Sequence, residues 1–303
     1  MRTTIDEQYV VSSAGRQIAL VVLFLAAVAC TEQEPGADSL VETPAQDVAK
    51  VKWRLPSALR EISGLALTPD GRLFGVDDEQ AVIYQIDFST GKLVKAFAVG
   101  KPVLRGDFEG IAYLNESLFL VNSNGVIFKI REGADGDRVA YEEIRTGLGK
   151  QCEIEGLAQD PVAGTLLLVC KKVRKKADIS TLSVFTWRPG ENRVDPDERI
   201  ELPVNEILVS LNTREFNPSG IAVDPSTGSI IIVAARQHAM VSIDRYGGFV
   251  GAMPLTPAKW HRQAEGIEVS LAAQLIIADE GGKSRARLTV YDKFHDYIGY
   301  NNE

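Results

Sequence analysis

An all-β fold, a five-bladed β-propeller with four-stranded blades, is predicted by three features of this sequence. A short motif recurs five times: EISGLA from Glu61, DFEGIA from Asp107, EIEGLA from Glu153, NPSGIA from Asn217 and QAEGIE from Gln263. Its glycines, Gly64, Gly110, Gly156, Gly220 and Gly266, stand 46, 46, 64 and 46 residues apart. Between copies the chain alternates short apolar runs with turn residues, and helical periodicity is essentially absent after residue 50. A period of ~40–50 residues filled with short strands is the sequence signature of a propeller.

The first copy divides into EISGLALTPDG, RLFGVDDEQ, AVIYQIDFSTG and KLVKAFAVGKP. Each is a β-rich run closed by a turn signal, so one copy makes one antiparallel blade. The second and fourth copies divide in the same way. The third is 18 residues longer, with its excess in a basic loop after Cys170 and in GENRVDPDERIELPVNEILVSLNTRE. We read that excess as an insertion; six blades is the alternative if it hides a degenerate blade. The fifth copy ends before an outer strand, which Val51–Pro56 (VKWRLP) can supply. Strands from both ends of the chain would then close the ring and leave no open sheet edge.

The segments ahead of the repeats read differently. Arg2 and Arg16 precede an apolar stretch, Ile18–Ala29, which at 12 residues is too short to span a bilayer and right for a signal-peptide core. It ends in LAAVAC, which resembles a bacterial lipobox with Cys30 as the lipidated first residue. Plain cleavage after Ala29 and an uncleaved anchor are the alternatives. Residues 30–48 follow as a tether: the stretch 31–47 has five acidic residues, no basic ones and two prolines, a composition that stays solvated. The expected division is signal peptide over 1–29, tether over 30–48 and propeller over 49–303. The expected location is the cell envelope, lipid-anchored and facing the periplasm, with the outer membrane favoured because Thr31 follows Cys30; a soluble periplasmic or secreted protein is the alternative. A net charge of −8 over 303 residues argues against a nucleic-acid partner. Cys152 and Cys170 stand at the outer ends of two consecutive predicted strands, and in an envelope compartment they can pair. A one-residue slip in register would instead point them to opposite faces.

The motifs also carry a family resemblance. LPSALREISGLA at Leu55, DDE at Asp77, GDFEGIAYL at Gly106 and NPSGIAVDPSTG at Asn217, in that order, resemble the SdiA-regulated (YjiK-like) family of bacterial envelope proteins. The resemblance spans roughly residues 52–294 and implies a β-propeller in the envelope. It brings no established catalytic set.

Candidate chemistry gathers where the inner strands begin. The third residue before each glycine is Glu61, Asp107, Glu153, Asn217 or Gln263; the residue just before it is Ser63, Glu109, Glu155, Ser219 or Glu265. Alternation along a strand puts both on the same face as the aliphatic residue after the glycine. Two polar rings over an aliphatic plug are therefore expected at one mouth of the channel. Six of those ten side chains are carboxylates, which must raise one another's pKa or share a cation. Oxygen ligands without His or Cys suit Ca²⁺, so Asp107, Glu109, Glu153, Glu155 and Glu265 are candidate ligands. Hydrogen bonds from neighbouring backbone N–H groups are the structural alternative, and a water-filled polar channel a third.

The loops after each second strand should emerge at the same mouth. Together with Glu61, they offer Asp77, Asp78, Glu79, Lys171, Arg236, Asp279 and Glu280 as ligand-binding candidates. The run KKVRKK, Lys171–Lys176, reads first as a solvated loop balancing an acidic protein, with contact to an anionic partner as the functional alternative. Of three histidines, His261 is the one expected near the mouth. Nucleophile-elbow, zincin and phosphate-loop motifs are missing from the sequence. The chain reads as a monomeric envelope binding module for a small-molecule or envelope ligand; whether it is an enzyme stays open, the alternative being a calcium-dependent hydrolase of phosphoesters, esters or lactones.

Overall fold

A computed structural model describes residues 49–177 and 180–292; the signal-peptide, lipidation and tether expectations, Cys30 included, fall outside them. Those residues form five blades of antiparallel strands. Blade 1 runs through Ile62–Leu67, Leu73–Asp77, Val82–Asp87 and Lys92–Val99. Blade 2 comprises Phe108–Leu114, Ser117–Asn122, Val126–Ile130 and Tyr141–Arg145; blade 3 comprises Cys152–Asp160, Thr165–Val173, Ser183–Trp187 and Arg199–Glu201. Blade 4 is built from Gly220–Val223, Ile230–Ala234, Ala239–Ile243 and Phe249–Pro254. Blade 5 takes Ala264–Val269, Leu275–Asp279 and Arg287–Tyr291 from the end of the repeats and Ala49–Arg54 from their start, Val51 pairing with Val290 and Trp53 with Leu288. The count is five, and the closing strand comes from the N-terminal side.

Each gap between blades holds its own apolar cluster. Phe74, Val76, Ile83 and Phe97 of blade 1 meet Phe108, Ile111, Leu118 and Leu120 of blade 2, and four equivalent clusters complete the circle. The aliphatic residues after the repeat glycines, Leu65, Ile111, Leu157, Ile221 and Ile267, all belong to these clusters and are at most 3% exposed. Each packs back against the preceding blade. The expected aliphatic plug in the channel is therefore corrected to five separate contacts between blades.

The glycines explain the period. A Cβ added to Gly64 would lie 2.8 Å from the Gly110 Cα; on Gly110 it would lie 2.6 Å from the Leu157 nitrogen; on Gly156, 3.2 Å from the Ile221 nitrogen. On Gly220 it would run into the Glu265 carbonyl oxygen, and on Gly266 it would lie 3.3 Å from the Gly64 carbonyl carbon. The repeat glycines thus form a closed ring in which backbone meets the backbone of the next blade, and any side chain would wedge the blades apart.

The long third copy contains no sixth blade. Arg199–Glu201 within it is the outer strand of blade 3, and Val204–Ser210 forms an α-helix that the sequence reading missed. Only Ile207 of that helix is buried, so seven residues carry too little apolar periodicity to read as helical. Blade 2 also reaches backwards: Arg138–Val139 adds to Lys92–Val99 as a parallel fifth strand, and Glu132 accepts hydrogen bonds from Arg72 and Lys95 of blade 1.

Cys152 and Cys170 form a disulfide with a Cα–Cα distance of 5.8 Å. A register shift sets Cys170 opposite Ile154 instead of Cys152, and the sulfurs meet across that offset. Closing an 18-residue separation should stabilise the fold by about 3 kcal/mol through the unfolded chain. Reduction, or Cys170→Ser, is expected to lower the melting temperature by ~5 °C or more, measured by calorimetry with and without reductant.

Candidate functional site

Every inner strand begins at one end of the ring with an irregularity beside its glycine. In blades 1, 2 and 5 the pairing shifts between Ile62 and Gly64, Phe108 and Gly110, and Ala264 and Gly266; in blade 3 it shifts between Ile154 and Leu157. In blade 4 the Ser219 N–H and Gly220 both face Val233. These are β-bulges, which insert one residue and re-aim its side chain. The inserted residue in blades 1, 2 and 5 is Ser63, Glu109 or Glu265. Simple alternation fails there: Ile62, Phe108, Ile154 and Ala264 share clusters with the aliphatic residue three positions on. The bulge frees the extra side chain from both packed faces, and this puts the carboxylates at the axis.

Two tiers result. The outer one is more open, with Asp107 exposed and Glu61, Glu153 and Asn217 half-buried. The inner one is closed in, Ser63 and Glu155 being only 2% and 8% exposed. Burial pushes the Glu109 carboxyl up to about 10, with Glu155, Asp107 and Glu265 adding repulsion. Glu265 is pushed up to about 9 by burial, then by Glu280, Glu155 and Asp78. Burial also raises Glu155, but the Lys171 ammonium hydrogen-bonds to it at 2.5 Å and opposes the shift. These mutual effects show that residues from blades 1, 2, 3 and 5 converge.

The second-strand loops arrive at the same end. The Asp78 N–H donates to the Glu61 carbonyl, the Ser123 N–H to that of Asp107, and the Glu280 N–H to that of Gln263. Asp78 is pushed up to about 6 by burial and by Asp77, and its Oδ1 is buried without a partner, as is the Ser63 Oγ. Glu280 shares a hydrogen bond with Glu61 that holds Glu61 low, whereas burial and that same neighbour lift Glu280 to about 7. Asp77 turns to its own loop, accepting from the Glu79 and Gln80 N–H groups; Glu79 is exposed.

Two sequence expectations change here. Asp279 does not open onto the mouth: it is 3% exposed, and its Oδ2 lies 2.9 Å from the His261 Nδ1. His261 does stand in the segment beside the mouth, but its ring is fully buried, with Tyr291 Oη against its Nε2. Fixed on both ring nitrogens, it anchors the segment entering blade 5.

The hydrogen-bonding alternative for the ring carboxylates holds at a different residue. The backbone bonds between blades use carbonyls, Phe108 N–H to Asp78 and Ile154 N–H to Ser123. Glu268, where the other four copies have alanine, accepts from the Leu67 N–H of blade 1 at 3.2 Å and is pushed up to about 8 by burial. The change from GLA to GIE in the fifth copy was the signal for it.

Among the described residues, no three His, Cys, Asp or Glu side chains converge as a metal-ligand set. Asp107, Glu109, Glu153, Glu155 and Glu265 carry the oxygen donors that calcium takes; the cation paired with Glu155 is the Lys171 ammonium.

A cavity of about 300 Å³ opens at this end between blades 3, 4 and 5, lined among others by Glu155, Lys171, Ser219, Arg236, Arg262 and Glu265. Sequence reasoning found Lys171, Arg236 and the two glutamates. It missed Arg262, which stands beside a ring position just as Arg60 does next to Glu61.

The molecule is thus a five-bladed propeller whose one end gathers buried acids, a lysine and free guanidinium groups. It belongs to the SdiA-regulated family, whose model matches residues 42–280. No curated protein matches the chain in sequence. Among solved structures it is similar to Myxococcus xanthus glutaminyl cyclase, at 14% identity and a TM-score of 0.55 over 80% of this chain and 94% of that one. It is also similar to a luciferin-regenerating enzyme, at 10% identity and a TM-score of 0.50 over 77% of this chain and 92% of that one. At such identities the likeness is one of fold alone.

Proposed function

We propose that this chain is a monomeric, envelope-tethered binding module that takes a small polar ligand at the mouth of the propeller. The cavity of about 300 Å³ carries the reading, because a rigid concave site with convergent polar groups is how folds hold small ligands. The envelope location is supported by the apolar stretch ending at Ala29, by Cys30 and by the acidic segment after it. Lipid on Cys30 would tether the ring to the membrane.

A thermal-shift screen of small polar metabolites tests the site. At least one compound should raise the melting temperature, and Ala235→Trp, which places an indole in the cavity without removing a side-chain hydrogen bond, should abolish the shift. A screen without any such compound removes the reading.

Calcium is separable from it. A chelator is expected to leave the melting temperature unchanged, because Lys171 and bound protons already balance the inner carboxylates. If chelation lowers it by several degrees, and Glu109→Gln with Glu155→Gln cancels that effect, calcium belongs to the site after all.

A further inference from the structure

The mouth is not uniformly acidic. Asp77, Asp78, Glu79, Asp107 and Glu280 crowd the arc formed by blades 5, 1 and 2. The opposite arc carries Lys171, Lys172, Arg174, Lys175 and Lys176 of blade 3, then Arg236 and Arg262, and all of these except the half-buried Lys171 are exposed. The cavity lies in this second arc. Three of its lining residues are Lys or Arg and two are glutamates, in a chain whose net charge is −8.

The partners of these charges decide what can enter. Lys171 is engaged by Glu155. Among the described residues neither Arg236 nor Arg262 has a hydrogen-bond or ion-pair partner. Guanidinium groups offer a planar fork of donors that suits carboxylate and phosphate oxygens. The lining also includes Asn217, paired with Gln237, and His238, whose Nδ1–H donates to the His261 carbonyl. The Ser219 hydroxyl is already occupied, donating to the Ala264 carbonyl and accepting from the Ala235 N–H. At ~30 Å³ per water the cavity holds on the order of ten waters, the size of one sugar ring.

We infer that the cavity between blades 3, 4 and 5 binds a small hydroxylated anion, its charged group held by Arg236 and Arg262 and its hydroxyls by Glu155, Glu265 and Asn217. This rests on the mouth being a ligand site, and it adds the class of ligand. An exposed basic arc on an acidic protein also draws anions towards that side of the ring, an effect that weakens with salt.

The test is calorimetric titration of the purified chain with D-glucuronate, glucose 6-phosphate and uncharged D-glucose. At least one anionic sugar should bind ten-fold or more tighter than glucose, and the stronger of the two identifies carboxylate or phosphate as the group held. Arg236→Gln with Arg262→Gln should weaken binding ten-fold or more while the melting temperature stays within ~2 °C, since both side chains are exposed. Equal binding of glucose and the anions, or anion binding unchanged in the double variant, overturns the inference. If only neutral or cationic compounds from the wider screen bind, and Ala235→Trp removes them, the mouth site stands and the anion class falls. If nothing binds at all, both fall.

Discussion

Raising the pH from about 5 to about 9 should steadily destabilise this protein, and Glu265→Gln should remove much of the loss. Glu109, Glu265 and Glu268 all have carboxyls raised above the ordinary glutamate value, burial being the first cause in each. The folded chain therefore holds protons that the unfolded chain releases between roughly pH 4.5 and the raised values. Where the native state binds more protons, stability falls as pH rises. The contribution is whole below the unfolded pKa and is lost as each carboxyl is forced to ionise. A tenfold difference in proton affinity between folded and unfolded chain corresponds to about 1.4 kcal/mol, but neighbouring acids share the effect and the site can admit water. We expect ~2–4 kcal/mol at pH 9 for Glu265→Gln, or roughly 5–10 °C in melting temperature. Glutamine keeps the volume and a hydrogen-bond donor without the proton. Melting curves of both proteins across this range decide it: a wild-type midpoint that rises with pH, or a variant no flatter than wild type, refutes the assignment of neutral carboxyls.

Gly110→Ala should cost more than any surface change, on the order of 4 kcal/mol or outright failure to fold. The added methyl would stand 2.6 Å from the Leu157 nitrogen and 3.0 Å from its Cβ, and that nitrogen belongs to the rigid inner strand of the next blade. Displacement at one blade presses on the next around the closed circle. Gly136 supplies the contrast: its φ is +78° and nothing lies within 4 Å of an added Cβ. Gly136→Ala should lose only about 1 kcal/mol, for the left-handed backbone. Denaturant unfolding of the two variants separates a steric demand from a conformational one. Equal losses would mean that the repeat glycines are not there for close approach.

These two expectations also show what the sequence could and could not carry. The glycine spacing revealed the ring because each glycine meets the same obstacle, the neighbouring backbone, at the same point of each blade. Blade number, strand order and a closing strand borrowed from the N-terminal side, expected at Val51–Pro56 and found at Ala49–Arg54, followed from that period. The bulges did not follow, since an inserted residue is defined by its partner across the sheet and leaves no compositional trace. Alternation counted through Glu109 and Glu265 therefore reached the axis for the wrong reason and sent Ile111 and Ile267 to a plug that does not form. The burial of the His261 ring was hidden for a related cause: it depends on Asp279 and Tyr291, far along the chain. The counter-ion of Glu155 was within reach, as Lys171 lies on the adjacent strand, but a shifted register hid which carboxylate it would meet.

The seam of blade 5 has a consequence for how the molecule comes into being. Val51 waits for Val290, so the ends of the repeat array must meet before the wheel is whole. Contacts so distant in sequence form late, because the intervening loop must first be closed at an entropic cost. A partly synthesised chain would stack its early blades yet keep two naked sheet margins, one at each end of the arc. Newly made copies are thus most prone to sticking together in the interval before the last strand arrives.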